Sequence, residues 1–452
     1  MKKELHYYDI YPKVFLGDRE KHITVKPLGD HASFESEHVY TVKIFKVNQS
    51  NPKVYPERSG RSSLTLTPDA DGCLRFSAYF EGEGEHFINV YYSEDEKPRL
   101  TLSVYSLLSD MAGRIPQRGD LHMHTCRSDG KESPTVTAAN YRGHGYDFFT
   151  ISDHRRYYPS LEAIAFYKDL TDFCIVPGEE IHLPLNNVHY VNFGGSYSIN
   201  ALVTPNKNQE KAGDDLSFRS IDGNAPAPMT EEEFIAMIEE RSKTVPREYE
   251  SERKSFAVME WIYEHMQKNG GLGIFPHPYW LCQMMQLAED YTEFIYEKAP
   301  FDAFEVLGGE NYYQHNGFQT GFYYEMRAKG IDHPIVGSTD SHGSTEHNRN
   351  ALICSTIVFS KANEKDALID AIKNKYSVAV DTISKEYRLV GDFRFVKYGS
   401  FLLENYFPLH DLACAAEGYY MKKYATGDLD AEKILAALKG QIPAMQKKYF
   451  DI

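Results

Sequence analysis

Two histidines stand two residues apart in Asp120-Leu-His-Met-His-Thr-Cys-Arg-Ser-Asp-Gly130. On an extended segment alternate side chains share a face, so His122 and His124 point the same way. A pair of imidazoles so placed can chelate one divalent ion. Asp129 follows in a Ser-Asp-Gly turn, where glycine lets the loop fold a carboxylate back toward the same ion. Four later segments repeat one theme, an apolar run leading to a residue of metal-ligand type. They are Phe149-Thr-Ile-Ser-Asp-His154, Ile175-Val-Pro-Gly-Glu-Glu-Ile-His182 with its Glu180, Gly273-Ile-Phe-Pro-His277, and Ile335-Val-Gly-Ser-Thr-Asp-Ser-His342. The last carries Asp340 and His342, again two residues apart. Histidines and carboxylates in such number suit divalent cations that activate a water molecule.

These segments are far apart in the chain, so a fold must gather them. From about residue 118 short apolar runs alternate with helical ones, which predicts a βα-repeat architecture. Strands are expected at 120–124, 148–152, 174–181, 188–193, 272–275, 303–307 and 334–338, with helices around 134–142, 160–170, 252–268, 318–329 and 363–374. In a βα barrel the strand C-termini open onto one rim, where residues distant in sequence converge. Several histidines and carboxylates sharing a rim would be costly without metal. Residues 196–228 are rich in Asn, Asp, Gly and Pro and read as a long loop or insertion, of the kind that can serve as a lid. Thr230 with Glu233 forms a capping box that opens a helix through about 242.

The first hundred residues alternate apolar and polar positions at period two, as in Val39 to Val47 and Phe87 to Tyr92. Short strands at this spacing predict an all-β sandwich over 1–115. It groups no residues in a catalytic spacing, so an accessory or scaffold role is expected. The barrel domain is expected over 118–380, with the insertion around 196–245. Residues 381–452 form a C-terminal extension with a helix at 430–439 and no constellation of chemistry.

Composition narrows the partners. Apolar residues make up 42% of the 452, enough to exclude a disordered chain. The 49 basic against 65 acidic residues give a formal charge of −16, which disfavours nucleic acid as a partner. No apolar stretch approaches the ~20 residues that span a bilayer, and no signal-peptide core follows the start. The six cysteines are scattered without CxxC spacing and read as free thiols. A cytoplasmic protein with no membrane partner is the expectation; its oligomeric state is open.

The motifs DLHMHTCRSDG, FFTISDH, PGEEIH, IFPHP and GSTDSHG occur in the order seen in the polymerase-and-histidinol-phosphatase (PHP) superfamily, which the sequence resembles over about 118–360. The resemblance implies a distorted (β/α)7 barrel and two or three divalent ions, commonly Zn, Mn or Fe. It implies as their ligands His122, His124, Asp129, His154, Glu180, His189, His277, Asp340 and His342. Glu180 is preferred over its neighbour Glu179 by the Gly-x-Glu spacing after Gly178, and His189 rests on its position on the strand after the glutamate. Many relatives carry an acidic residue after the Asp-His pair, whereas here Arg155 and Arg156 follow.

An arginine beside a metal cluster suits a bidentate grip on phosphate, so Arg155 is a candidate for substrate binding and catalysis. Arg127 is a weaker candidate; pairing with a surface carboxylate is the competing role for each. His182 shares a strand face with Glu180 and is a candidate ligand or substrate contact. Tyr157, Tyr158, Tyr279 and Trp280 either line the mouth or fill the core. His144, His315, His333 and His347 are expected in loops or at the surface, and the role of Glu310-Asn311 is open. The expected activity is hydrolysis of a phosphate ester of a small phosphorylated metabolite. The alternatives are an amidohydrolase-type C–N hydrolase, an exonuclease on short oligonucleotides and a non-catalytic metal-binding protein. The closing Asp340-x-His342 and the Glu180 position fit the C–N hydrolase pattern less well.

Overall fold

The computed structural model describes residues 3–49, 54, 61–92, 97–204, 220–308, 313–345, 354–382 and 387–452. Glu310, Asn311 and His347 lie outside them, as do residues 205–219 of the expected insertion. The chain divides into two compact units: residues 1–115 with 393–413 and 440–452, and residues 116–392 with 414–439.

The first unit holds the period-two strands. Tyr8–Tyr11, Arg19–Pro27 and Leu74–Phe80 form one antiparallel sheet. A second sheet runs in the order Phe450–Asp451, Val14–Leu16, Leu100–Leu107, Gly84–Tyr92, Tyr40–Lys46 and Arg61–Leu66. Alternate residues such as Ile23, Val25, Leu74 and Phe76 of the first sheet share one core with Val42, Ile44, Ile88, Val90 and Leu102 of the second. The intervening positions face outward, as the strict alternation along Leu74–Phe80 shows.

The second unit is mixed α/β. Its strands are β1 (Ile115–Asp120), β2 (Phe148–Thr150), β3 (Cys174–Val176), β4 (Gly178–Ile181), β5 (Tyr190–Phe193), β6 (Leu272–Phe275), β7 (Ala303–Leu307), β8 (Ile335–Gly337), β9 (Cys354–Ser360), β10 (Ser377–Asp381) and β11 (Arg388–Val390). They fall into two sheets, in the orders β3-β2-β1-β9-β10-β11 and β4-β5-β6-β7-β8, and a separate two-stranded hairpin pairs Leu281–Cys282 with Met284–Met285. Among the described residues neither sheet closes on itself, so the expected barrel is not present as a single closed sheet. The sheet pairing is also mixed, because β5 runs antiparallel to both β4 and β6. The run expected as one strand over 174–181 divides at Pro177 into β3 and β4, which belong to different sheets. Proline cannot donate to a ladder. Next to it, a Cβ on Gly178 would stand 2.3 Å from Thr150 Oγ1 and 2.9 Å from the Asn192 carbonyl oxygen.

Both faces of these strands are buried, which is why they read as apolar runs. Leu121, Phe148 and Val176 from one sheet share a cluster with Val191, Phe193, Ile274, Ala303 and Val336 from the other. The alternate residues Tyr190, Phe275, Phe304 and Ile335 face a second cluster built on the helices Glu231–Ser242, Glu250–Asn269, Glu289–Lys298 and Tyr313–Ala328. The helices Pro134–Gly143 and Tyr158–Tyr167 cover Phe149 and Ile151 in the same way. Thr230 caps the helix Glu231–Ser242 through a complete capping box with Glu233. Residues 196–204, expected in a loop or lid, instead enter the core: Tyr197, Ile199, Leu202 and Val203 are all buried with the helices of that cluster. Their apolar side chains outweigh the polar composition of the segment that follows. No helix among the described residues is long and apolar enough to cross a membrane.

Candidate metal centre

The first motif begins where β1 ends, and its backbone is knitted to two neighbours. His124 N–H donates to the Ser341 carbonyl (2.8 Å), Asp340 N–H to the His122 carbonyl (2.8 Å) and Ser152 N–H to the Met123 carbonyl (2.9 Å). A parallel bridge between His154 and Glu180 adds the fourth motif residue. His189 arrives differently. It precedes the antiparallel β5 and therefore reaches the site from a strand's N-terminal end, not from the C-terminal rim expected for a βα repeat.

Three buried carboxylates hold this frame without joining the cluster. Asp120 accepts from His122 N–H (3.2 Å), Thr339 N–H (3.0 Å) and Thr339 Oγ1 (2.5 Å), tying the first motif to the last. Asp153 accepts from Thr125 N–H (2.7 Å), Thr125 Oγ1 (2.5 Å) and Ser128 Oγ (2.5 Å), fixing the loop that carries Asp129. That loop also requires Gly130, because a Cβ there would stand 2.5 Å from the His124 carbonyl oxygen. Glu179 accepts from Asn192, Ser198, Asn200 and the Ile199 N–H. Adjacent residues on a strand face opposite ways, so Glu179 braces the outer segment while Glu180 faces the histidines.

All nine residues implied by the resemblance converge. His124, Asp129, His154 and His342 each offer a ligand atom within 4.8 Å of the others, as do His122 with Glu180 and His277, and His122 with His124 and Asp340. Glu180 is central. Its Oε2 lies 2.6 Å from His154 Nδ1, 3.6 Å from His124 Nε2 and 3.7 Å from His122 Nε2, and its Oε1 lies 2.7 Å from His189 Nδ1 and 3.8 Å from His277 Nε2. Asp340 Oδ1 lies 2.9 Å from His124 Nε2 and 3.3 Å from His122 Nε2. Asp129 Oδ2 lies 3.4 Å from both His154 Nε2 and His342 Nε2.

Both carboxylate oxygens of Glu180, with His122 Nε2, His189 Nδ1 and His277 Nε2, are buried, and although some of these atoms approach within 2.6–2.7 Å none of the approaches has hydrogen-bond geometry. Unsatisfied buried polar atoms are expensive, and here they point at one another. Divalent ions satisfy such a donor set, so the residues fit the metals that the resemblance implies. Charge within the cluster is polarised accordingly. Burial works to lower the His122 imidazole, but Asp340, Glu305 and Glu180 outweigh it and hold it well above its ordinary value. Burial and the neighbouring His154 push His124 down to about 3. Burial would raise Glu180 and Asp340, yet the surrounding histidines hold both carboxyls below the usual range.

Three of the nine positive-φ residues other than glycine among the described residues lie at this site. Arg155, His277 and Asp340 adopt φ of 62°, 25° and 50° without being glycine. Each such conformation costs on the order of 1–3 kcal/mol and persists only where the surroundings impose it. For Arg155 the imposing contact is its own N–H, which donates to the Glu180 carbonyl (2.9 Å).

Two residues absent from the sequence reading complete the arrangement. Glu305 on β7 is fully buried with Oε2 3.0 Å from His122 Nδ1. Gln286 places Oε1 3.1 Å from His277 Nδ1 and donates to the Asn187 carbonyl. The signal for Glu305 was a carboxylate inside the apolar strand Ala-Phe-Glu-Val-Leu; Gln286 has no sequence signal. His182 Nε2 stands 2.8 Å from His154 Nδ1 and 3.3 Å from Glu180 Oε2, within the cluster. Arg127 is taken elsewhere, gripping both carboxylate oxygens of Glu162 (2.8 and 2.9 Å). A carboxylate within reach satisfies its fork, the alternative weighed for it. Arg155 Nε is buried with no hydrogen bond. Tyr157 and Tyr279 are core residues, the first bonded to the Gly195 carbonyl and the second packed on Phe318 and Phe322. Trp280 sits beside His189 and His277. His315 is fully buried, not at the surface, because its Nε2 bonds to the Gly308 carbonyl inside the unit.

No family model and no curated protein matches the chain. Among solved structures it is similar to a two-domain protein of Bacteroides vulgatus, named for its PHP-like metal-dependent phosphoesterase. The identity is 16% and the TM-score 0.38, covering 59% of this chain and 65% of that one. It is also similar to a Bifidobacterium adolescentis protein named as a metal-dependent phosphoesterase, at 16% identity and TM-score 0.32 over 51% of this chain and 89% of that one. An amidohydrolase of Chromobacterium violaceum with bound sulfate and no metal shares 15% identity at TM-score 0.30, over 51% of this chain and 89% of that one. Overlaps this partial leave the function of the chain to its own residues.

Proposed function

We propose that the second unit hydrolyses a phosphate ester of a small phosphorylated metabolite. The observation that carries this reading is the convergence of nine ligand-type residues with Glu180 at their centre, its two carboxylate oxygens buried among histidine nitrogens. The two sheets of the unit are read as parts of a distorted (β/α)7 barrel, supported by their common apolar cluster and by the bridges His154–Glu180 and Met123–Ser341. The first unit is read as an accessory sandwich. The free thiols of Cys73, Cys126, Cys174, Cys354 and Cys414 support a reducing, cytoplasmic setting.

His122, His124, Asp129, His154, Glu180, His189, His277, Asp340 and His342 would hold two or three divalent ions (Zn, Mn or Fe). Such ions lower the pKa of a bound water and neutralise the charge of a phosphoryl group. The chain's own residues do the rest. Asp129, His154 and His342 form the more exposed end, through which an anionic group can enter. Arg155 follows His154 directly, and its unbonded Nε is available to a phosphoryl oxygen as charge develops there. His182 orients His154 and stands as a further contact for substrate.

Metal analysis of the purified chain, combined with phosphate release from a panel of phosphomonoesters, tests the proposal. Wild type should carry metal and release phosphate, and His124→Ala should abolish release. Metal without phosphate release from any ester would move the assignment to C–N or diester hydrolysis; a metal-free, inactive wild type would refute it.

A further inference from the structure

The ligand-type residues of the centre are not equally prepared. His122, Glu180 and His277 are almost wholly buried, with side-chain exposures of 0%, 0% and 2%. Asp129, His154 and His342 are 50%, 23% and 25% exposed. Buried ligands have already lost their side-chain freedom and their competing water, so little ordering remains to be done when an ion arrives.

The two groups are also braced differently. Behind His122, Glu305 Oε2 lies 3.0 Å from Nδ1, and both residues are fully buried. Behind His277, Gln286 Oε1 lies 3.1 Å from Nδ1. In the neutral imidazole that a metal requires, each acceptor keeps the proton on Nδ1 and leaves the Nε2 lone pair facing Glu180 and Asp340. A carboxylate behind an imidazole also raises its basicity toward a metal, which a neutral amide does less. In the exposed group His342 Nδ1 faces a backbone carbonyl, that of Asp340, at 3.0 Å, while His154 Nδ1 faces the shared Glu180 at 2.6 Å and His182 at 2.8 Å, with no acceptor of its own behind it among the described residues. The carboxylate there, half-exposed Asp129, accepts from its neighbour Ser128 at 3.1 Å and lies 3.4 Å from His154 Nε2 and His342 Nε2.

From this asymmetry we infer that Glu305 and Gln286 are positioning residues which make the His122–Glu180–His277 position the tight metal site, leaving the position formed by buried His124 with the more exposed Asp129, His154 and His342 the exchangeable one. The inference rests on the metal-centre reading above and extends it to two residues outside the ligand set. Its consequence is a centre that retains one ion while the outer ion comes and goes.

Calorimetric titration and equilibrium dialysis with Zn2+, on the whole chain, test this without requiring turnover. Wild type should show two affinity classes. Glu305→Leu should weaken the tighter class by about 10- to 100-fold, the range for loss of such a partner, and leave the weaker class unchanged. Glu305→Gln should restore most of the tight binding, since its amide oxygen still accepts from Nδ1–H. Gln286→Ala should weaken the same class by a smaller factor, and His342→Ala should remove only the weaker class. Circular dichroism establishes that Glu305→Leu is folded; should it not be, Glu305→Gln and Gln286→Ala carry the comparison. A single class in wild type, or variants at 305 and 286 that alter the outer class or neither, would overturn the inference. Two classes with the expected variant pattern but no phosphate release would overturn the phosphoesterase reading alone, while a wild type that binds no Zn2+ overturns both.

Discussion

Replacing Asp120 by alanine should destabilise the second unit without altering any residue of the candidate metal centre. Asp120 is fully buried, and its carboxylate accepts from His122 N–H, Thr339 N–H and Thr339 Oγ1. The hydroxyl of Thr339 has a second partner in Tyr141 Oη at 2.9 Å, so it can redirect. The two backbone N–H groups lose the acceptor that joins them. A buried donor left unsatisfied costs about 1–3 kcal/mol, so the pair together gives about 2–6 kcal/mol. Asp120→Asn should cost less than about 1.5 kcal/mol, because Oδ1 accepts from both N–H groups and an amide carbonyl can do the same. Both tryptophans, Trp261 and Trp280, lie in the second unit, so their fluorescence reports its urea unfolding selectively. With a slope of about 3 kcal/mol per molar urea, alanine should lower the midpoint by about 0.7–2 M and asparagine by less than about 0.5 M. Metal affinity should fall with the alanine variant, since the same carboxylate fixes His122 against the Asp340 segment. An alanine midpoint equal to wild type, or an asparagine variant as damaged as alanine, would refute the bracing role.

Gly130→Ala should cost about 1–3 kcal/mol and weaken metal binding at the Asp129 group, because its methyl would press on the His124 carbonyl; a metal titration indistinguishable from wild type would count against this. Arg155→Lys should lower kcat/KM for a phosphate ester by roughly 10- to 1,000-fold, with unchanged metal content, because a lysine cannot reproduce the guanidinium fork. Steady-state kinetics on metal-replete protein decides it, and an unchanged kcat/KM would remove Arg155 from the machinery. His86 in the first unit is buried against Ser106, and burial, aided by Lys46, pushes its pKa down from 6.5 to about 4. Between those values the unfolded chain binds a proton that the folded chain does not. Stability of this unit is therefore full above pH 6.5 and declines toward pH 4, by about 3 kcal/mol for the whole shift. Hydrogen-exchange protection factors, corrected for the intrinsic pH dependence, should fall in the strands Gly84–Tyr92 and Leu100–Leu107 as pH is lowered through that window, and His86→Gln should flatten the dependence.

Much of this protein is legible in local spacing. Histidines at i and i+2 share a face of an extended chain whatever surrounds them, so His122 with His124 could be read directly. The period-two runs of the first unit and the capping box at Thr230 are equally local, because strand alternation and helix-end hydrogen bonding involve only near neighbours. What the sequence could not decide was always a matter of partners distant in the chain. Glu179 and Glu180 are adjacent and chemically identical; the Gly-x-Glu spacing favoured Glu180, but only the pairing of β4 with β5 shows what Glu179 does instead, facing Asn192 and Ser198. Arg127 and Arg155 both qualified as phosphate ligands until Glu162, 35 residues on, was found to occupy the first. The polar segment after Phe193 gave no sign that Tyr197 and Ile199 are core, since burial depends on the helices that cover them. Glu305 lies 183 positions from the histidine it faces. Candidate ligand types are written in residue type and spacing, whereas their bracing, burial and strain arise only when separate strands come together, because those are properties of contacts between segments and not of any one of them.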